Sequence, residues 1–443
     1  MSKKVHLISL GCNKNLVDSE VMLGKLYSYE ITDEQANADV TIVNTCGFIE
    51  AAKEESINTI LEASANRKEN SLLVVSGCLS ERYKEELIEA LPEVDIFTGV
   101  GDYERIDELI ANKQTSFTPD VYLANENSKR VITGSRYHAY IKLSEGCNQN
   151  CSFCAIPSFK GRLKSRTIDS VIAEVSSLIE EGFRDFSFIS QDTSSFGRDL
   201  GNKDALIDLI KQVELLPGIK SARVLYLYPS TTTKELIDAI ADSTIFKTYF
   251  DMPIQHISDD MLKTMKRGSG KDKTIELLEY MKNKENAFIR TAIIAGHPNE
   301  SEEDFLELKE FIKDFGFDRV TVFEYSNEES THAYNLEQID KETIRKRADI
   351  LGEIAKDLML KSNSKLIGKE IELIVDGTSN EHELLLSSRA TQWAPEIDGE
   401  IYINDTNDKP VEHGEYYIAK ITELADTTPL ATLIKKIWLT LKL

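Results

Sequence analysis

The first 110 residues alternate short apolar runs with segments of helical spacing. Three of the apolar runs end in a cysteine, and they are VHLISLGC, DVTIVNTC and SLLVVSGC. The segment ESINTILEASANRKE places Ile57, Ile60, Leu61 and Ala65 at helical spacing. The run DIFTGV and the helical segment DYERIDELIANK close the unit. Alternating strands and helices predict a parallel α/β domain, which we place at residues 1–118.

Residues 119–132 are polar, lack clear periodicity and are interpreted as a linker. A second alternating series follows, and its predicted strands are HAYIKLSEG, FSFISQD, SARVLYLY, KTYFDMPIQ, AFIRTAIIAG and RVTVFEYS. Six strand–helix units fall short of the eight units and about 250 residues of a complete TIM barrel. We therefore predict an open six-unit partial TIM barrel at residues 133–363, with its active site at the carboxyl ends of the strands.

The pattern changes again after a long charged helix predicted in ETIRKRADILGEIAKDLMLKSNSKLIG. The segments KEIELIVDG, HELLLSSR, EIYIND, GEYYIAKITEL and ATLIKKIWL follow as short strands with turn residues between them. Short strands at regular spacing are typical of small all-β domains. We predict a C-terminal β-barrel at residues 364–443.

Composition narrows the possible partners and the compartment. The chain carries 52 Lys and Arg against 75 Asp and Glu, for a net charge of -23. Such a balance favours basic partners, and a nucleic-acid substrate would need a local basic patch. No apolar run approaches the roughly 20 residues of a membrane span, and the N-terminal run is too short for a signal peptide. We expect a cytoplasmic protein without a membrane segment, in which clustered cysteines are metal ligands more often than disulfides.

Cys12, Cys46 and Cys78 each end a predicted strand of the first domain. Because the carboxyl ends of parallel strands share one edge of a sheet, we expect these three thiols to converge. The alternative is three buried free cysteines, since cysteine is often fully buried. The same placement, repeated three times, favours a shared site.

Three further cysteines, Cys147, Cys151 and Cys154, form the pattern C-x3-C-x2-C in GCNQNCSFC. A structural zinc site normally has four ligands, so these three cysteines are one ligand short. A histidine could supply the fourth, and His138 is the nearest one upstream. A 4Fe–4S cluster explains the presence of only three cysteines better, because three thiolates leave one iron open for a small ligand with amino and carboxylate groups. S-adenosylmethionine is such a ligand, and an electron passed into its sulfonium would yield a carbon radical.

The first cysteine set also offers three thiolates and no obvious fourth ligand. It therefore suggests a second 4Fe–4S cluster with an open iron. Two such clusters facing each other imply that the second holds or donates something to the radical made at the first. Sulfur is the natural cargo, because a cluster iron binds exogenous sulfide.

Further candidates lie beside the cysteines and at the predicted strand ends. The candidate cofactor-binding residues are Phe153, Gln191, Asp192, Gln255 and Arg290. Ordinary packing or hydrogen bonding remains open for each of them, as it does for His256. The run KGRLKSR contains Lys160, Arg162, Lys164 and Arg166, which either contact a carboxylate or form a solvated basic loop. Trp393 is either a binding anchor or part of the local packing.

The two cysteine sets, the order of domains and the stretch LGCNKNLVDSE resemble the radical S-adenosylmethionine methylthiotransferases. The resemblance covers essentially the whole chain. It implies an N-terminal methylthiotransferase domain, a radical S-adenosylmethionine core and a C-terminal TRAM domain. It also implies two 4Fe–4S clusters, S-adenosylmethionine, and an electron donor such as flavodoxin or ferredoxin.

One branch of that family modifies tRNA adenosines, and another modifies the β-carbon of an aspartate in small-subunit ribosomal protein S twelve. GCNKN resembles the GCPKN of the second branch more than the GCQMN of the first, and SQDTSSFG, DMPIQH and WAPEIDG also resemble the second. Asn13 in place of proline, and GHPNES in place of GFPGET, depart from the pattern.

Charge in the last domain bears on the choice between the two branches. Residues 363–443 carry 8 Lys and Arg against 14 Asp and Glu, a net of -6. An acidic module suits a basic ribosomal protein better than tRNA. We therefore expect an aspartate methylthiotransferase. The alternatives are the same chemistry on tRNA and a non-catalytic iron–sulfur carrier with a binding module, although a carrier has little need of a barrel.

Overall fold

The N-terminal domain is built on a parallel five-stranded sheet of order β2-β1-β3-β4-β5. The computed structural model describes residues 2–379, 384–407 and 410–437. The strands of this sheet are β1 (Lys4–Ser9), β2 (Glu30–Ile31), β3 (Val40–Thr45), β4 (Leu72–Gly77) and β5 (Ile96–Phe97). Its helices are α1 (Asn13–Lys25), α2 (Glu50–Asn66), α3 (Cys78–Arg82), α4 (Lys84–Ala90) and α5 (Ile106–Asn112). All six residues of β3 are buried, as expected of a parallel strand covered on both faces.

The central domain is an open barrel of six parallel strands, as predicted. They are β6 (His138–Lys142), β9 (Asp185–Ile189), β10 (Ser221–Val224), β11 (Tyr249–Asp251), β12 (Phe288–Ala295) and β13 (Arg319–Glu324), while β7 (Ser144–Glu145) and β8 (Lys164–Ser165) form a short antiparallel pair. Sheets β10-β9-β6 and β11-β12-β13 meet where the amide of Ala222 donates to Ile245 O at 3.0 Å and that of Lys247 donates to Ala222 O at 2.8 Å.

Helices cover the outer face of this barrel. The short α6 (Ile156–Lys160) instead lies against α3 of the N-terminal domain. The outer helices are α7 (Ile168–Glu180), α8 (Ala205–Glu214), α9 (Lys234–Ala241), α10 (Asp259–Thr264), α11 (Lys271–Lys282), α12 (Glu302–Phe315) and α13 (Lys341–Ser364). Their starts follow local sequence signals. Thr167 and Thr233 cap α7 and α9, and Ser301 forms a capping box with Asp304 at the start of α12.

The C-terminal domain is a closed barrel of order β14-β15-β16-β18-β17 and confirms the predicted all-β domain. Its strands are β14 (Glu370–Thr378), β15 (Leu386–Ala390), β16 (Ile401–Asp405), β17 (Tyr416–Ala425) and β18 (Thr428–Lys436). Residues 382–383 and 438–439 of two predicted strands lie outside the described residues. No helix in the described part of the chain has the length and apolar character needed to cross a membrane.

Residues 391–398 of the C-terminal domain, which we call the plug, enter the amino-terminal end of the central barrel. Arg223 donates to Thr391 O at 2.7 Å, and Arg319 donates to Asp398 O at 2.9 Å. Trp393 is only 2% exposed, and the guanidinium of Arg319 lies 4.7 Å from its ring centroid. The hypothesis that Trp393 is a binding anchor is therefore wrong, because its ring is part of the interior.

A buried carboxylate joins the plug end of the barrel to the C-terminal domain. Asp185 accepts hydrogen bonds from Arg223 at 2.8 and 3.1 Å and from Arg389 at 2.8 Å. All three side chains are buried. Burial acts to raise the pKa of Asp185, but Arg223 and Arg389 outweigh it and hold that pKa well below its usual range. The carboxylate is therefore ionised and neutralises part of a buried positive charge.

Candidate active site shared by two domains

The first three cysteines lie together at the carboxyl edge of the N-terminal sheet. Cys12 directly precedes α1, Cys46 directly follows β3, and Cys78 opens α3 directly after β4. The strand ends approach closely, since a Cβ atom on Gly11 would lie 2.6 Å from Cys46 Cβ. Gly11 also has a φ of 83°, which favours glycine. A glycine before Cys12 thus lets the two thiols occupy adjoining strand ends.

The other three cysteines lie on a loop after β7, where several groups point at their sulfurs. The amide N–H of Gln149 donates to Cys147 Sγ at 3.4 Å. Arg267 Nη1 donates to Cys151 Sγ at 3.2 Å, and the hydroxyl of Tyr228 lies 3.2 Å from the same sulfur. Donors and a guanidinium suit a thiolate, because they stabilise negative charge on sulfur.

A cavity of about 300 Å³ lies over this second cysteine set, and both domains line it. Lys14 and Phe48 reach it from the N-terminal domain. Lys14 follows Cys12 by two residues, and Phe48 follows Cys46 by two. The first cysteine set is therefore directly behind one wall of the cavity. The opposite wall is formed by barrel residues that include Cys147, Cys151, Cys154, Tyr226, Tyr228 and Arg267.

Burial raises the pKa of several of these thiols. The pKa of Cys46 rises to about 11, and those of Cys78 and Cys147 rise to about 12. The pKa of Cys154 is also raised, first by burial and then by the neighbouring Cys151. Free thiols at these positions are protonated at neutral pH, so a bound metal displaces their protons.

The donors are thiols, which are the ligands that iron–sulfur clusters take. Among the described residues, no three His, Cys, Asp or Glu side chains lie close enough together to hold one ion. A cluster offers a separate iron to each sulfur, so its ligands need not meet at one point. Three thiols on one loop meet that requirement, and hydrogen-bond donors lie at the sulfurs of Cys147 and Cys151.

His138 is wrong as a fourth zinc ligand. It begins β6, whereas the cysteines come after the carboxyl end of that strand. The ring is buried, and its Nε2 lies 3.0 Å from Ser187 Oγ. Burial lowers the pKa of His138 to about 3, so the ring is neutral and belongs to the barrel interior.

Four of the five predicted cofactor-binding residues line the cavity: Phe153, Gln191, Gln255 and Arg290. Their contact with a cofactor remains a prediction. Asp192 lies away from the lining, and its carboxylate accepts hydrogen bonds from Gln149 at 2.8 Å and from Ser195 at 2.6 Å. Through Gln149, Asp192 positions the loop that carries the second cysteine set.

Two residues that line the cavity have positive φ angles, and one arginine that lines it forms an ion pair with a carboxylate. Tyr226 and Gln255 have φ angles of 64° and 70°, a region that costs a non-glycine residue about 1–3 kcal/mol and is concentrated at functional sites. Arg290 Nη1 contacts Asp251 at 2.7 Å. Burial acts to lower the pKa of Arg290, and Asp251 outweighs it, so the guanidinium stays charged and is neutralised locally.

A buried ionic cluster fixes the N-terminal domain against the barrel. Lys142 Nζ lies 2.5 Å from Asp18 and 2.8 Å from Glu145, and Lys160 Nζ lies 3.4 Å from the same two carboxylates. Gln191 donates to Glu145. Burial acts to raise the pKa of Glu145, and Lys142 and Lys160 lower it to about 2. Asp18 lies on the helix that follows Cys12, and Glu145 lies two residues before Cys147, so the cluster links the segments that carry the two cysteine sets.

The interpretation of KGRLKSR as a solvated loop is therefore wrong for two of its basic residues. Lys160 belongs to the ionic cluster, and Arg166 is buried and pairs with Glu174. Arg162 and Lys164 are exposed. His256 is a structural residue, because its Nδ1 accepts from two following amides and its Nε2 lies 3.3 Å from Glu300.

The lining residues that sequence reasoning missed include Lys14, Tyr226, Tyr228 and Arg267. The two tyrosines had a usable signal, since they directly follow a barrel strand at its carboxyl end. Lys14 and Arg267 had none. They reach the cavity from a helix of another domain and from a turn after α10, and only the packing of the domains brings them there.

Replacing Arg267 by leucine is expected to lower the reduction potential of a cluster on the second cysteine set. The variant loses a positive charge and a hydrogen bond that stabilise the reduced, more negative cluster, and a fall on the order of 60 mV is expected. Potentiometric titration followed by electron paramagnetic resonance measures it. Arg345→Leu, at an exposed position of α13, is the matched control. Equal potentials in both variants would show that Arg267 does not tune the cluster.

Comparisons with known proteins agree with this geometry. Residues 4–99 match the uncharacterized protein family UPF0004, residues 141–312 match the radical SAM superfamily, and residues 367–434 match the TRAM domain. Two structures of the radical S-adenosylmethionine methyltransferase TsrM from Kitasatospora setae are similar, with TM-scores of 0.52 and 0.53. They cover 73% of this chain and 72% and 73% of theirs, at 14% and 15% identity, which shows a shared fold alone.

Much more similar relatives are named ribosomal protein uS12 methylthiotransferase RimO. The protein of that name from Sulfurovum sp. is 67% identical over 434 residues, which cover 98% of this chain and 99% of the relative. Those from Sulfurimonas denitrificans and Campylobacter jejuni are 59% and 55% identical with the same coverage. At this identity over nearly the full length, the chain belongs to the RimO family of radical S-adenosylmethionine methylthiotransferases.

Proposed function

We propose that this chain transfers a methylthio group to the β-carbon of an aspartate in ribosomal protein uS12. The observation that carries the proposal is the shared cavity. Cys147, Cys151 and Cys154 line it, while Lys14 and Phe48 bring the other cysteine set against it. Joining a carbon radical to sulfur requires both sources within reach of one substrate atom. The names of the relatives supply the substrate.

The proposed cofactors are two 4Fe–4S clusters and S-adenosylmethionine. When bound, the cluster on the second cysteine set and S-adenosylmethionine would supply the radical that removes a hydrogen atom from the target carbon, the cluster on the first set would supply sulfur, and a further S-adenosylmethionine would supply the methyl group. The chain positions and shields these groups. Arg267 and Tyr228 hold Cys151, and Phe153 forms part of the cavity wall, packed edge-on against His297 at 6.2 Å between ring centroids.

Aromatic side chains form an apolar rim for the incoming substrate. Phe48 and Phe323 are 36% and 43% exposed, and both line the cavity. One comes from each domain, so a substrate loop that enters between them contacts both. An apolar rim on a chain of net charge -23 supports a basic protein as substrate over a polyanion.

The remaining parts of the proposal concern the setting of the reaction. The electron donor is a small carrier such as flavodoxin or ferredoxin. The enzyme works in the cytoplasm, where ribosomal proteins are made. We also propose the domain limits: the N-terminal domain at residues 1–118, the linker at 119–132, the radical S-adenosylmethionine core at 133–363 and the C-terminal β-barrel at 364–443.

Mass spectrometry tests the substrate directly. Reconstituted enzyme, S-adenosylmethionine and a reductant are incubated with purified uS12 in one reaction and with unmodified tRNA in another. A methylthio group is expected on one aspartate of uS12 and on no tRNA nucleoside. Modification of tRNA alone would establish the tRNA alternative, and turnover of S-adenosylmethionine in neither reaction would support the carrier.

A further inference from the structure

Lys14 places an ammonium group in the cavity against an aromatic ring. Its Nζ lies 3.5 Å from the centroid of the Tyr226 ring. Tyr226 itself is held in a left-handed backbone conformation, and its amide donates to Asp251 at 3.1 Å. Its carbonyl accepts from the amide of Thr193 at 3.0 Å. Strain of this kind persists only where the surroundings enforce it, so the ring is a fixed platform for the ammonium.

Lys14 differs from the other cations around it in forming no ion pair of its own: Glu145 and Asp251 act on its charge, but each of them pairs directly with another cation. Lys142 and Lys160 share Asp18 and Glu145, and Arg290 pairs with Asp251. Within the described part of the chain, no carboxylate forms an ion pair with Lys14, which is half-buried. A cation withdrawn from water without a counterion is costly. The cavity is therefore complementary to an anionic ligand next to the first cysteine set.

We infer that Lys14 is a specificity-determining residue that binds the side-chain carboxylate of the target aspartate. The inference rests on the proposed function and deepens it. The carboxylate is bonded directly to the β-carbon, so an ion pair at this point orients the carbon that loses its hydrogen. Lys14 follows Cys12 by two residues, so the same contact brings that carbon to the sulfur side of the cavity. An asparagine at the target position offers no charge to bind.

The carboxylate of S-adenosylmethionine is the other anion that could reach the cavity, and the experiment separates the two. Reconstituted wild type and Lys14→Met are compared on two uS12-derived peptides that carry aspartate or asparagine at the target position. Lys211→Met, at an exposed position of α8, is the matched control. Affinity for each peptide is measured without turnover, and KM for S-adenosylmethionine is measured through release of 5′-deoxyadenosine.

Wild type and Lys211→Met are expected to bind the aspartate peptide on the order of 100-fold more tightly than the asparagine peptide. Lys14→Met is expected to lose most of that preference, to keep its KM for S-adenosylmethionine, and to keep its iron content. Lys14→Arg should restore part of the preference, because a guanidinium also pairs with carboxylate.

Two results would overturn the inference. One is an unchanged preference for aspartate in Lys14→Met. The other is a raised KM for S-adenosylmethionine with the preference intact, which would assign the ammonium to the cofactor. A wild-type enzyme that binds the aspartate peptide selectively but never methylthiolates it would instead contradict the proposed function, because binding is read out separately from turnover.

Discussion

Alanine at Cys147, Cys151 or Cys154 is expected to reduce the release of 5′-deoxyadenosine to background. Each sulfur would hold one iron of a cluster that has only three protein ligands, so no spare thiolate can replace it. Iron content after anaerobic reconstitution should fall from about eight to about four atoms per chain, because each 4Fe–4S cluster holds four. Chromatography of the nucleoside product and a colorimetric iron assay measure the two quantities.

The first cysteine set provides the matched control for this experiment. Alanine at Cys12, Cys46 or Cys78 should remove a similar amount of iron, because these thiols also meet at one sheet edge. Release of 5′-deoxyadenosine should continue, while methylthiolated uS12 should be absent. Wild-type release of the nucleoside from Cys151→Ala would refute the assignment of the second set. Zinc in place of iron, or one cluster per chain in the wild type, would refute the two-cluster arrangement.

Replacing Asp185 by asparagine should destabilise the protein by about 3–5 kcal/mol, because it removes the charge that two buried guanidinium groups share. Differential scanning calorimetry should show a fall in Tm of roughly 3–5 °C for a chain of this length. Asp185 has a depressed pKa, so its stabilising contribution is present above the unfolded pKa of about 3.9 and is lost as pH falls. The difference between wild type and variant should therefore narrow below about pH 4.

Asp357→Asn is a suitable control for this change, since Asp357 is exposed on α13. Its Tm should remain within about 1–2 °C of the wild type, as expected of a surface substitution. Should Asp185→Asn unfold at the wild-type temperature, Arg223 and Arg389 would have to be neutralised by other groups. The buried network would then not be what joins the C-terminal domain to the barrel.

Much of the fold could be predicted because hydrophobic periodicity is a local property. Each cysteine of the first set ends a strand, and strand ends of a parallel sheet share an edge, so their convergence also followed from the sequence. Helix α1 could not be recognised in this way. It buries Asp18, Ser19 and Glu20 beside its apolar residues, because partners such as Lys142 and Arg130 come from residues beyond the first domain.

At the candidate site, too, the sequence could not reveal contacts between residues that are distant along the chain. Catalytic groups of a barrel gather at the carboxyl ends of its strands, and this rule correctly predicted four residues that line the cavity: Phe153, Gln191, Gln255 and Arg290. For Lys160 the sequence left a carboxylate contact and a solvated loop open, because nothing nearby in sequence reveals that Asp18 lies against it. For Trp393 the sequence left a binding anchor and ordinary packing open, and the structure shows packing, since its ring is buried.

The position of residues 391–398 changes how truncation experiments should be interpreted. These residues close the amino-terminal end of the barrel, where Arg223 and Arg319 donate hydrogen bonds to their carbonyl groups. A chain shortened before residue 364 would expose Phe288 and Tyr249, which are now buried, and would open a route for water from the far end. Leakage of that kind would quench a radical whether or not the shortened enzyme still recognised its substrate. Loss of activity on truncation would therefore not identify the C-terminal domain as the substrate-binding part.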